Sequence, residues 1–260
     1  MENKESVIIM NFSGIYREEK FWKEQEISWV EARDISGTNC YCDDEAVREI
    51  KKRIKDFPVA GIHFIDSGNY HYMTRLWLER IQTPFRLLVF DNHTDMQLPA
   101  FGDLLSCGGW IASSLEKLEN LKQVILVGPD NESYSQVEKE FKRKVIFLSR
   151  EIMGEMDEKS TVRKLGDILA ENDLPLYISI DKDVLAAEFA QTTWSQGDMT
   201  LQTLLECVKF TMKCAEQKLF EITGVDICGE ADAENIHDNT ANDYANQELI
   251  KIFTDRKGAD

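Results

Sequence analysis

Phe85-Arg-Leu-Leu-Val-Phe-Asp-Asn-His-Thr-Asp-Met-Gln97 is the stretch that decides the fold. Its apolar run, Leu87 to Phe90, reads as a buried strand of a parallel sheet, because a strand covered on both faces is apolar throughout. Asp91, His93 and Asp95 follow at once. Polar residues just past such a strand sit at its carboxyl end, where open α/β sheets place their sites. Two carboxylates and an imidazole so close together suit a divalent cation. The segment therefore reads as half of a metal site, and other strands should bring the remainder.

Three further apolar runs end in acid. Gly61-Ile62-His63-Phe64-Ile65 leads to Asp66 and then His71. Leu176-Tyr177-Ile178-Ser179-Ile180 leads to Asp181-Lys182-Asp183, and Leu219 to Val225 leads to Asp226. All strand ends of a parallel sheet lie on one edge, so residues distant in sequence meet there. Alternation along an extended backbone would give Asp91, His93 and Asp95 a common side, and likewise Asp181 and Asp183. Asp226 reads instead as a cap for the segment that follows it. His63 falls inside a strand and His237 in a polar loop, and both read as non-ligands.

Crowded carboxylates repel one another unless a cation neutralises them. Asp91, Asp95, Asp181 and Asp183 carry four negative charges, which two divalent ions balance, with His71 and His93 as neutral donors. Oxygen-rich ligation with one imidazole per ion suits manganese better than zinc. Two such ions can hold a hydroxide at neutral pH and polarise a substrate carbon.

The rest of the chain alternates strand and helix. Val7 to Met10 reads as a first strand, and residues 16 to 34 as a loop with a short helix. Asp43-Asp44 can cap a helix through Phe57, and Thr200 one to about Gln217. Strands are expected at Val124 to Val127 and Val145 to Leu148, and helices over 131–142, 160–171 and 241–253. With no repeat or linker to divide it, residues 1–260 read as one three-layer α/β/α domain around a mainly parallel sheet.

Hydrophobic residues make up 43% of the 260, enough for a sizeable core, and the formal net charge is −17. That charge disfavours nucleic acid and anionic membranes and would attract a cationic substrate. No apolar stretch approaches the ~20 residues that span a bilayer. The opening MENKESVIIM is unlike a signal peptide, and the six cysteines show no Cys-x-x-Cys pair, so reduced thiols in the cytoplasm are expected.

The two aspartate segments, Asp91-Asn-His-Thr-Asp95 and Ser179-Ile-Asp-Lys-Asp183, resemble the manganese-binding segments of the arginase–agmatinase superfamily, the ureohydrolases. Ser67-Gly-Asn-Tyr-His71 is a looser counterpart of an upstream histidine segment. Gln196-Gly-Asp-Met-Thr200 looks like a downstream glycine stretch, and Gly224-Val-Asp-Ile227 like the strand leading to a substrate-binding glutamate. The resemblance runs from about residue 60 to 230. It implies one manganese held by His71, Asp91, Asp95 and Asp181, and a second by His93, Asp91, Asp181 and Asp183. Asp95 would also orient a bridging hydroxide and accept its proton during C–N cleavage of a guanidino, amidine or related amide small molecule. It implies Glu230 as the substrate-binding acid, one residue later than the family pattern, and assembly into homo-oligomers.

Four departures mark the chain. Asn92 stands where alanine is usual, Leu185-Ala-Ala187 replaces an Asp-Pro, the loop Leu105-Ser-Cys-Gly-Gly-Trp110 lacks a histidine, and the glutamate is shifted. The metal site is thus expected to be kept and the substrate pocket changed. Two other readings remain open. One is a single-metal deacetylase-like enzyme using Asp91, His93 and Asp181; the other is a metal-binding descendant without activity.

Overall fold

A computed structural model describes residues 6–99, 102–232 and 238–254. Its strands, in chain order, are β1 (Val7–Asn11), β2 (Ile27–Glu31), β3 (Tyr41–Cys42), β4 (Ile62–Phe64), β5 (Phe85–Phe90), β6 (Leu105–Ser106), β7 (Leu121–Val127), β8 (Val145–Leu148), β9 (Leu176–Asp181) and β10 (Ile222–Cys228). Eight of them form one sheet in the order β2-β1-β4-β10-β9-β5-β7-β8, and every neighbouring pair is parallel. β3 and β6 make a separate antiparallel pair.

Both faces of the sheet are covered, as the apolar runs require. Alternate residues point to opposite helix layers. Leu88, Phe90, Ile125, Val127, Ile178 and Ile180 pack with Leu165, Leu204 and Leu249 of the helices Glu158–Leu169, Leu201–Glu216 and Thr240–Thr254. Leu87, Val89, Val124 and Leu126 pack with Ile50, Trp77 and Ile111 of the helices Asp44–Ile54, Met73–Leu78 and Trp110–Lys117. Capping follows local chemistry. Asp43 accepts from the amides of Glu45 and Ala46, and Thr200 from that of Thr203.

The register aligns one row across the sheet: Phe64, Ile227, Ile180, Phe90, Val127 and Leu148. One residue beyond it lie Cys228, Asp181, Asp91 and Gly128. The apolar row thus ends at the layer where the candidate site begins.

Some boundaries differ from the sequence reading. Residues 27–31, expected within a loop, form the edge strand β2 beside β1. The helix expected over 131–142 is two short ones, Asn131–Ser135 and Lys139–Lys142. Asp226 caps nothing, because β10 continues past it to Cys228 and places it inside the sheet.

Gly128 has φ +123°, and a Cβ there would lie 2.2 Å from the Asp91 carbonyl oxygen. Gly128→Ala is expected to cost about 1–3 kcal/mol in urea denaturation, because the backbone is in a region closed to side chains. Gly154, with nothing within 4 Å of its would-be Cβ, should tolerate alanine without loss of stability.

Candidate metal centre

Asp91 follows the last residue of β5, and its amide still bonds the Val127 carbonyl. From there the chain leaves extended geometry. Asp95 adopts φ +47°, a left-handed conformation that short polar residues tolerate better than most. Asp91, His93 and Asp95 therefore converge through a loop rather than by alternation along a longer strand. Asp181 ends β9 and caps a single helical turn, Lys182–Val184, accepting from the Asp183 amide at 2.9 Å. His71 follows a similar turn, Gly68–Tyr70.

These elements form two adjoining clusters. His71 Nδ1 lies 3.3 Å from Asp91 Oδ2, 3.2 Å from Asp95 Oδ2 and 3.3 Å from Asp181 Oδ2. His93 Nδ1 lies 2.8 Å from Asp183 Oδ2 and 3.5 Å from Asp91 Oδ1. Asp91 thus turns one oxygen to each imidazole. His71 and the four aspartates are buried, and His93 is partly exposed toward a cavity of about 230 Å³.

Neutral dipoles hold the carboxylates in place. The His93 amide donates to Asp91 Oδ1 at 2.6 Å and the Asn92 amide to Asp183 Oδ1 at 2.9 Å. The Trp110 indole donates to Asp95 Oδ2 at 2.6 Å. Behind His71, its Nε2 meets Ser179 Oγ at 2.9 Å, and that hydroxyl donates to Asp226 Oδ1 at 2.6 Å. Behind His93, Nε2 meets Ser195 Oγ at 2.9 Å. Outer partners of this kind fix the ring orientation of a ligating histidine and leave Nδ1 facing inward.

The electrostatics point the same way. Burial opposes the charged form of His93, yet the Asp183 and Asp91 carboxylates push its pKa up to about 12. His71 is likewise held well above the ordinary histidine range despite its burial, by Cys228, Asp181, Asp91 and Asp95. Asp95 is raised to about 6, by burial first and by the Asp91 charge second. Each imidazole thus sits among carboxylates that favour its charged form. Asp91 Oδ2, fully buried, accepts no hydrogen bond. A buried carboxylate oxygen with no well-formed hydrogen bond, amid inward-facing nitrogen and oxygen atoms, fits divalent cations.

The sequence profile of the Arginase family matches residues 6–241. The chain belongs to the arginase family. An uncharacterised protein of Thermotoga maritima is 32% identical over 224 residues, covering 86% of this chain and 79% of its own. Among solved structures, the proclavaminate amidino hydrolase of Streptomyces clavuligerus superposes with a TM-score of 0.70 at 13% identity, covering 97% of this chain and 92% of its own. A formiminoglutamase variant of Trypanosoma cruzi with Mn2+ gives a TM-score of 0.68 at 12% identity, covering 98% and 95%. The fold is therefore the arginase-like α/β fold.

Within that fold, the six residues expected as ligands come together, whereas other acids at the same edge do not join them. Asp66 accepts from the amides of Phe12, Ser13 and Ser67, tying the segment after β1 to the end of β4. His63 stacks on Trp77 at 4.0 Å and meets the Tyr177 hydroxyl at 3.1 Å. His237 lies outside the described residues. Cys107 lines the cavity, and Asn92 anchors the loop at Ser195 through its amide group.

Glu230 requires a correction. It does not face the cavity; it is fully buried and ion-paired with Lys182, with Asn242 and Asn246 donating to it. Gly229, at φ +91°, turns the chain so that position 230 points into the fold. Sequence reasoning also missed Cys228, whose thiol donates to Asp181 Oδ2 at 3.0 Å. The signal was the register: once β10 lies beside β9, the residue after Ile227 is level with Asp181.

Two predictions follow from the outer contacts. Ser179→Ala is expected to weaken divalent-cation affinity about 10- to 100-fold in a calorimetric titration, since His71 loses its orienting partner. Lys182→Met strands Glu230 in the interior and should cost about 3–5 kcal/mol in denaturant unfolding. Adding Glu230→Gln should recover part of that loss.

Proposed function

We propose that this chain is a binuclear manganese-dependent hydrolase that cleaves a C–N bond in a small guanidino, amidine or related amide compound. One observation carries the reading: two imidazoles, each facing its own carboxylates, share Asp91 between them. His71, Asp91, Asp95 and Asp181 would hold one ion, and His93, Asp91, Asp181 and Asp183 the other. Bound manganese would supply Lewis acidity and lower the pKa of water at the reacting carbon.

The protein's own groups supply the rest. Asp95 is anchored at Oδ2 by Trp110, which leaves Oδ1 to take a proton from the attacking water and return it to the departing amine. Asp226, acting through Ser179, keeps His71 Nδ1 turned to the centre. Trp194, whose indole donates to Asn69 at 2.9 Å, walls the cavity beside His93.

The cavity also narrows the substrate class. Outside the aspartates and His93, its described lining includes Tyr41, Gln97, Ser106, Cys107 and Trp194, all formally neutral. No lysine or arginine is among the described lining residues to pair with a substrate carboxylate. A compact cationic or neutral amidine, guanidine or amide suits such a space, in a chain of net charge −17.

Elemental analysis of protein loaded with manganese should give about two ions per chain on the two-metal reading. The loaded enzyme should release urea or an amine from agmatine-like or formamidine compounds at rates at least about tenfold above those for matched compounds carrying an α-carboxylate, the scale of one lost ion pair. Folded protein that binds no divalent ion would overturn the proposal. Acetate release from acetylated amines, without cleavage of any amidine, would favour the single-metal deacetylase instead.

A further inference from the structure

The buried cysteines Cys42, Cys207, Cys214 and Cys228 all pack within the apolar clusters, Cys207 and Cys214 on the helix Leu201–Glu216. Of these four, Cys228 also touches one of the clustered aspartates. Cys228 ends β10 level with Asp181, at the carboxyl edge where the metal centre lies. Its Sγ is fully buried and 3.0 Å from Asp181 Oδ2, the oxygen that also lies 3.3 Å from His71 Nδ1. Ligand atoms of Cys228, Asp181 and His71 all fall within 4.8 Å of one another. Beside this triad, Asp91 Oδ2, buried and in no well-formed hydrogen bond, meets the same His71 nitrogen at 3.3 Å.

We propose that Cys228 Sγ is a ligand of the ion on the His71 side. The inference rests on the metal-centre reading given above and adds a residue to it. The two halves of the centre then differ in kind. The His71 side offers nitrogen, carboxylate oxygen and sulfur, whereas the His93 side offers nitrogen and carboxylate oxygen alone. Sulfur favours a softer divalent ion than manganese, such as iron, cobalt or zinc, so the pair of sites would accept a mixed-metal centre. The thiol proton that Asp181 now accepts leaves to solvent as the ion enters.

The backbone supports the arrangement. Gly229 follows at φ +91°, and a Cβ there would lie 2.3 Å from Asp181 Oδ1 and 2.7 Å from the Lys182 nitrogen. This close approach packs the end of β10 against that of β9 and keeps Sγ beside Asp181. No larger residue at 229 could follow the cysteine without moving the aspartate.

Cobalt loading of the metal-free full chain tests the assignment. Wild-type protein should show a near-ultraviolet thiolate-to-cobalt charge-transfer band and a sulfur shell in X-ray absorption at about 2.3 Å, the usual metal–thiolate distance. The Cys228→Ala variant should lose both and keep the weaker ligand-field bands. A Cys40→Ser/Cys107→Ser variant should retain everything, which excludes the cavity-mouth thiols as the source. Two cobalt ions per chain with no sulfur shell in wild-type protein would overturn the role of Cys228 and leave the binuclear reading intact. A charge-transfer band surviving in Cys228→Ala would also overturn it. Folded wild-type protein that takes up no cobalt would overturn both. Should Cys228→Ala fail to fold, the sulfur shell of wild-type protein, compared with the Cys40/Cys107 variant, decides the matter.

Discussion

Four aspartates gathered in one buried cleft repel one another, and the whole carboxyl edge of the sheet is arranged around that repulsion. Backbone amides and the Trp110 indole fix the carboxylates without neutralising them. Dipoles can orient a charge, but they cannot cancel it. Among the described residues of the cluster, His71 and His93 are the groups that can carry positive charge, and the carboxylates favour that form in both. Their inward nitrogens are also the atoms a metal would use. Because ligating groups must give up their protons to bind a metal, divalent-cation binding at such a cluster would be coupled to proton release.

The sheet order makes the gathering possible. β9 lies between β5 and β10, so segments about 90 residues apart in sequence end side by side. Tight backbone approaches then remove slack. Gly128 seats β7 against the Asp91 carbonyl, and Gly229 seats β10 against Asp181. Asp66, in a left-handed conformation at φ +79°, ties the loop after β1 to the same edge through its carboxylate. Left-handed geometry at a non-glycine residue costs of order 1–3 kcal/mol, and here the surrounding hydrogen bonds hold it in place.

What the sequence revealed, and what it concealed, follows from the range of the interactions involved. β5 and β9 were legible because burial on both faces leaves an uninterrupted apolar run, and the acids begin where that run stops. Asp91, Asp95, Asp181 and Asp183 were legible for the same reason. Strand alternation alone does not aim these side chains; a left-handed turn at Asp95 and a helical turn after Asp181 do. β2 was hidden because Trp29 and its charged neighbours read as a loop, and an edge strand needs only one partner. Asp226 looked like a cap because a carboxylate inside a strand is unexpected. Its place there depends on Ser179 and Tyr177 of the adjacent strand, which no local pattern announces.

Glu230 shows how a turn at a glycine directs a charge into the fold. Lys182 lies between two of the clustered aspartates in sequence, and an ammonium aimed into the centre would compete with any cation there. Its side chain is instead buried on the far side, where Glu230 and Asn246 meet it. A buried lysine needs a buried anion. Glu230 is committed to that pairing, and the residue before it, Gly229, has no side chain to offer. The burial of Glu230 beside Lys182 and the contact of the Cys228 thiol with Asp181 thus accompany one local feature, the close seating of the end of β10 against that of β9.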